Sequence, residues 1–169
     1  KRTTIVKLIE RFLVENEKRK DENMEFLARR QTPPHEMFGG KSHIDQEKYD
    51  HILWVMDHIV SPFFKLEENT NKSLEGLTKH DIENWSSYRL RNRQKAFKTE
   101  WANGTLNKQN RVFRSFFKWA VERGYMLAAP EIKEFKEDMR ASRRPEMTAD
   151  QYEELLEVLD KGSTDKNTD

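Results

Sequence analysis

Residues Thr105 to Tyr125 read TLNKQNRVFRSFFKWAVERGY, a pattern whose two sides demand different surroundings. At about 100° per residue, Leu106, Phe113, Phe117 and Ala120 share one helix face, which Val112, Phe116 and Trp119 widen. Asn107, Arg111, Arg114 and Lys118 follow at i, i+4, i+7 and i+11, within roughly 60° of one another. Long side chains of one charge repel along a stripe unless an anionic surface lies against them. A DNA major groove, wide enough to admit a helix, is such a surface. The competing reading is a solvated basic face.

Charge distribution supports the first reading. Between Thr78 and Ala128 eleven Lys/Arg stand against four acids, giving +7; the whole chain carries +1, so the remainder carries −6. Apolar residues make up 35% and charged residues 36% of the 169, which predicts a small helical core and long charged helices. The chain has no cysteine, which excludes disulfides, zinc knuckles and thiol chemistry and fits a reducing cytoplasm. No apolar run approaches the length of a membrane span, and the first residues do not form a signal peptide. The start at Lys1 and the polar tail after Ser163 suggest a piece of a longer protein.

The remaining helices follow from caps and spacing. Thr3 or Thr4 can cap a first helix with Ile5, Leu8, Ile9 and Phe12 inward. Its charged continuation has only Met24, Phe26 and Leu27 to bury, so 18–41 reads as a weakly packed extension or insertion. Ser42 or Asp45 opens a second helix through about Val60, burying Tyr49, Ile52, Met56 and Ile59 and stopped by Ser61-Pro62. Thr78 caps a third, burying Ile82, Trp85 and either Tyr88 or the stem of Arg89. Asn103-Gly104 breaks the chain before Thr105 caps the fourth, and Gly124 stops it. Domain boundaries are expected at 1–128 for the helical domain, 129–147 for a linker and 148–169 for a short helix and tail. No segment shows strand alternation, so the fold class is all-α.

The order of motifs resembles the core-binding, SAM-like domain of phage integrases, the tyrosine recombinase family. Leu77-Thr78-Lys79-His80-Asp81-Ile82 resembles that family's helix start. Thr105-Leu106-Asn107 followed by Phe113, Phe116 or Phe117, Ala120 and Gly124-Tyr125 resembles its next helix and turn, with Ala129-Pro130 where Asn-Pro is usual. Arg143-Arg144-Pro145-Glu146-Met147-Thr148 before Tyr152-Glu153-Glu154-Leu155-Leu156 resembles the entry to its catalytic domain. The resemblance spans roughly Thr3 to Leu159, apart from the extension. It implies a four-helix bundle holding double-stranded DNA, and a parent that recombines DNA through a 3′-phosphotyrosyl intermediate, tetrameric on its site, without metal or nucleotide cofactor. It also implies a bacterial cytoplasm, with the nucleoid as the place of action, and a fragment that is itself monomeric.

The family's catalytic set does not occur in this chain. None of the five histidines has an arginine three residues on; those positions are Phe38, Gln46, Trp54, Ser61 and Glu83. Tyr152 lies in the entry helix, too early for a nucleophile, so no catalytic residue is assigned. The candidate DNA contacts are Asn107, Lys108, Arg111, Arg114 and Lys118. To these are added Arg89, Arg91, Arg93 and Lys95 in the run that ends at Lys98, Lys41 and Ser42 before helix two, and Arg140, Arg143 and Arg144 in the linker. Phe113, Phe116, Phe117, Trp119, Trp54 and Trp85 read as core rather than as base-stacking platforms, and His51 and His58 lack a third metal ligand nearby in sequence. A helical protein-interaction module and a DNA-binding regulator without a catalytic half are the alternatives.

Overall fold

Thr4 is extended (φ −72°, ψ 159°) and its hydroxyl accepts the Lys7 N–H, so helix α1 (Ile5–Ala28) starts on one of the two expected threonines. The computed structural model describes residues 3–31 and 44–136, and among these the chain is all-α, with no strand. Helices α2 (Gln46–Trp54), α3 (Ser61–Phe64), α4 (Lys79–Phe97) and α5 (Asn103–Glu122) follow, with a π-helical segment at Val55–Val60 and short 3₁₀ turns at Glu67–Asn69 and Leu74–Gly76. Two units divide the chain, Lys1–Glu134 and Phe135–Asp169, and all these helices belong to the first.

Beyond Lys18, α1 buries only Asn23 among the described residues. It continues in register to Ala28, burying the small polar Asn16 and Asn23, while Met24 and Leu27 stay on the surface. Asn16 Nδ2 donates to the Phe12 carbonyl at 2.8 Å, so this amide brings its own partner into the interior. The part of 18–41 beyond Gln31 lies outside the described residues.

The second helix also runs further than its Ser-Pro signal. Asp45 caps it, with its carboxylate accepting the Lys48 N–H at 2.8 Å. At Val55–Val60 the winding loosens to π, and the chain re-enters α-helix with Pro62 in the first turn. There the missing proline N–H is not needed by the new helix, so helical winding continues through the proline to Phe64.

Thr78 and Asp81 form a reciprocal capping box on α4: the Thr78 N–H reaches Asp81 Oδ2 at 3.0 Å and the Asp81 N–H reaches Thr78 Oγ1 at 3.3 Å. Lys72 Nζ stands 3.1 Å from the other Asp81 oxygen. Burial pushes the Asp81 carboxyl up, but the Thr78 N–H and the Lys72 ammonium outweigh it and hold the group below the ordinary carboxylate value. The carboxylate therefore stabilises the fold above about pH 4, and that stability is lost as pH falls through the lower folded-state value. Asp81→Asn should flatten the acid limb of a urea-midpoint-against-pH curve. An unchanged acid limb would remove the role given to this ion.

α5 starts earlier than expected. Ala102 is the extended N-cap residue, and Asn103 and Gly104 occupy the first turn, where backbone N–H groups have no intrahelical partner in any case. Its end matches expectation. Gly124 has φ +81°, its N–H reaches the Val121 carbonyl at 3.1 Å, and the Tyr125 N–H reaches the Ala120 carbonyl at 2.8 Å, the paired bonds of a Schellman stop. A Cβ at Gly124 would meet nothing within 4 Å, so Gly124→Ala tests backbone strain alone. The expected loss is about 1–2 kcal/mol in chemical denaturation.

The core joins these helices through aromatic rings. Phe113, Phe116 and Phe117 are fully buried and Trp119 nearly so, as their spacing predicts. Phe12 of α1 meets Phe116 and Trp119 edge-on at 5.4 and 5.6 Å. Trp119 Nε1 donates to Glu15 at 2.8 Å, and Arg123 pairs with the same carboxylate, tying α5 to α1. Trp54 departs from its expected core position: it is 43% exposed beside His58.

Candidate nucleic-acid interface

Packing on α5 decides which of its polar side chains reach solvent. α1 and the π segment cover its apolar face, and residues 132–134 cover one flank. The surface left open carries Thr105, Lys108, Arg111, Ser115, Lys118 and Glu122, spaced by three or four residues. Lys108, Arg111 and Lys118 are therefore presented together, over roughly 15 Å of helix, and no acid interrupts them before Glu122.

Two expected members of the stripe do not belong to that open surface. Asn107 is 1% exposed and is corrected to an interior residue. It shares a flank with Asn110 and Arg114, and that is the flank the 132–134 segment closes. Asn110 Nδ2 donates to the Lys133 carbonyl at 3.3 Å. Arg114 is half-buried, and its guanidinium donates to the Ile132 carbonyl at 2.7 Å and to Glu134 at 3.2 Å. Its fork is thus filled within the chain, where it fixes the course of the segment leaving α5. The linker expected from 129 accordingly begins as part of the bundle, with Ile132 buried.

Arg89 is the second correction. It follows Ile82 and Trp85 on the buried stripe of α4, is 2% exposed, and donates to Gln109 Oε1 at 3.0 Å and Ser86 Oγ at 3.2 Å. Its guanidinium carbon lies 4.3 Å from the centroid of the Trp85 ring. Burial lowers its pKa to about 10, so it remains a cation at neutral pH. The side chain holds α4 to α5 and cannot meet an external phosphate in this fold.

Arg91 and Lys95 are exposed on α4. Arg93 is half-buried against Phe97 and Trp101. Lys41, Ser42, Arg140, Arg143 and Arg144 lie outside the described residues. His51, read from the sequence only as a metal ligand without partners, is exposed on α2 near this face: partial burial lowers its pKa, and the Lys108 ammonium adds to that. Among the described residues no group of His, Asp or Glu side chains is arranged to hold a metal ion, and no helix is long and apolar enough to cross a membrane.

Comparison of the chain with protein-family models, with curated proteins and with solved structures returns no match.

Proposed function

We propose that this bundle binds duplex DNA, with the open face of α5 laid against the sugar-phosphate backbone at the major groove. The observation that carries the reading is the row Lys108, Arg111, Ser115 and Lys118, exposed on successive turns with no acid among them. Its roughly 15 Å length is comparable to a groove about 12 Å wide. Lysine and arginine supply charge-assisted contacts to phosphate, while the Ser115 hydroxyl donates to the Val112 carbonyl at 2.7 Å and adds no charge to the row. With Asn107 and Arg89 inside the protein and Arg114 engaged by Ile132 and Glu134, base readout falls to Arg111, the one α5 arginine left with its fork exposed before the C-cap.

The resemblance to the core-binding domain of tyrosine recombinases extends this proposal to a parent protein that positions a catalytic domain on recombining DNA, in the bacterial nucleoid. In that setting the role of the present chain is to hold and orient the duplex. Fluorescence anisotropy with a labelled duplex of mixed sequence checks the binding step. Saturable binding at low salt that weakens steeply as salt rises is expected. No binding at low salt would contradict the reading.

A further inference from the structure

At the end of α4 a second surface combines charge with an exposed ring. From Asn84 to Thr99 the chain contains no acid, and Arg91, Arg93, Lys95 and Lys98 all fall in this stretch. Phe97 is 62% exposed, the one Phe, Tyr or Trp more than half exposed among the described residues. The Arg93 guanidinium carbon lies 4.3 Å from its ring centroid and 5.0 Å from that of Trp101. Lys98, at φ +58°, turns the chain sharply after Phe97 and donates its N–H to the Gln94 carbonyl at 2.8 Å, which returns Trp101 toward Arg93. Arg93 Nε is buried without a hydrogen-bond partner, so the cation is held against rings rather than by a carboxylate.

We infer that this knuckle is a stacking site for a nucleobase displaced from a duplex, with Phe97 as the platform, Arg93 beneath it and Lys98, the next residue, for the adjoining phosphate. A cation beneath an aromatic ring leaves the ring's exposed surface for a second flat partner, and a nucleobase is a flat partner that arrives with its own anions. An apolar protein partner would gain from Phe97 but would have to desolvate the Arg93 and Lys98 cations without compensation. The aliphatic Val14 and Leu127 are more exposed than Phe97, yet they offer no π face. The inference rests on the nucleic-acid reading of the domain and adds a site for distorted DNA, away from the α5 row.

The test compares the whole chain on three labelled oligonucleotides at one salt concentration: a fully paired duplex, the same duplex with one unpaired base, and a single strand. Wild-type protein is expected to prefer the duplex with the unpaired base over the paired one by roughly 5- to 150-fold, the span of one base-aromatic stack. Phe97→Ala should abolish that preference and leave paired-duplex affinity unchanged, while Phe97→Tyr should keep both. Paired-duplex binding without any preference, or a preference that survives Phe97→Ala, overturns the stacking site and leaves the proposed function standing. Phe97-dependent binding of the single strand with no binding of paired duplex does the reverse. Absence of binding to all three removes both. Self-association lost in Phe97→Ala assigns the knuckle to a second copy and also overturns the inference.

Discussion

Replacing Trp85 by alanine is expected to lower the unfolding free energy by about 3–5 kcal/mol. The indole is fully buried, its Nε1 donates to the Ile59 carbonyl at 2.9 Å, and its ring meets Phe113 edge-on at 4.6 Å. Ile59 lies in the π segment, where loosened winding offers a carbonyl to an outside donor. Truncation removes the ring, leaves that carbonyl without its partner and takes away the surface on which the Arg89 guanidinium rests. With typical domains stable by roughly 5–15 kcal/mol, the variant loses at least about a fifth of its margin. Urea titration reads this as a lower midpoint at nearly constant slope. Trp85→Phe keeps most of the packing but no N–H, so its smaller loss, about 1–2 kcal/mol, isolates the hydrogen bond.

The second large effect concerns binding. Lys108, Arg111 and Lys118 changed together to alanine should reduce duplex affinity by a few hundredfold near 0.1 M salt. The magnitude follows from the counterion slope: three phosphates no longer neutralised remove roughly 2.7 logarithmic units of affinity per tenfold change in salt. The three side chains are exposed, so fold stability should move by no more than about 0.5 kcal/mol each. A helical circular-dichroism spectrum and a urea midpoint close to wild type separate lost contact from lost fold. Alanine at Asn107 is a different experiment, because that amide is interior and its removal perturbs the core.

The apolar half of α5 was legible because seven side chains, Leu106 to Ala120, repeat at the helical period and all are buried. The caps at Thr4, Asp45 and Thr78 were legible because each is a short oxygen-bearing side chain just before a periodic run. The polar half of α5 was not. Periodicity places Asn107 and Arg114 near Arg111 in angle, but Asn107 is interior and Arg114 is taken up by residues 132–134, which are distant in sequence and carry no periodic signal. Arg89 was legible in part: its spacing from Ile82 and Trp85 puts its stem inside, while its guanidinium reads as a surface charge until Gln109 and Trp85 are seen to receive it. The π segment has no sequence signature beyond the proline that follows it, and that proline points equally to a stop.

The proposed function requires the open face of α5 to meet phosphates. The most direct measurement is the slope of log affinity against log salt for one duplex, in wild type and in the Lys108/Arg111/Lys118→Ala variant. Wild type should give the steeper dependence, and the variant a slope shallower by about 2.7, close to 0.9 per lost phosphate contact. Equal slopes in two well-folded proteins would place the DNA elsewhere and contradict the proposal for α5.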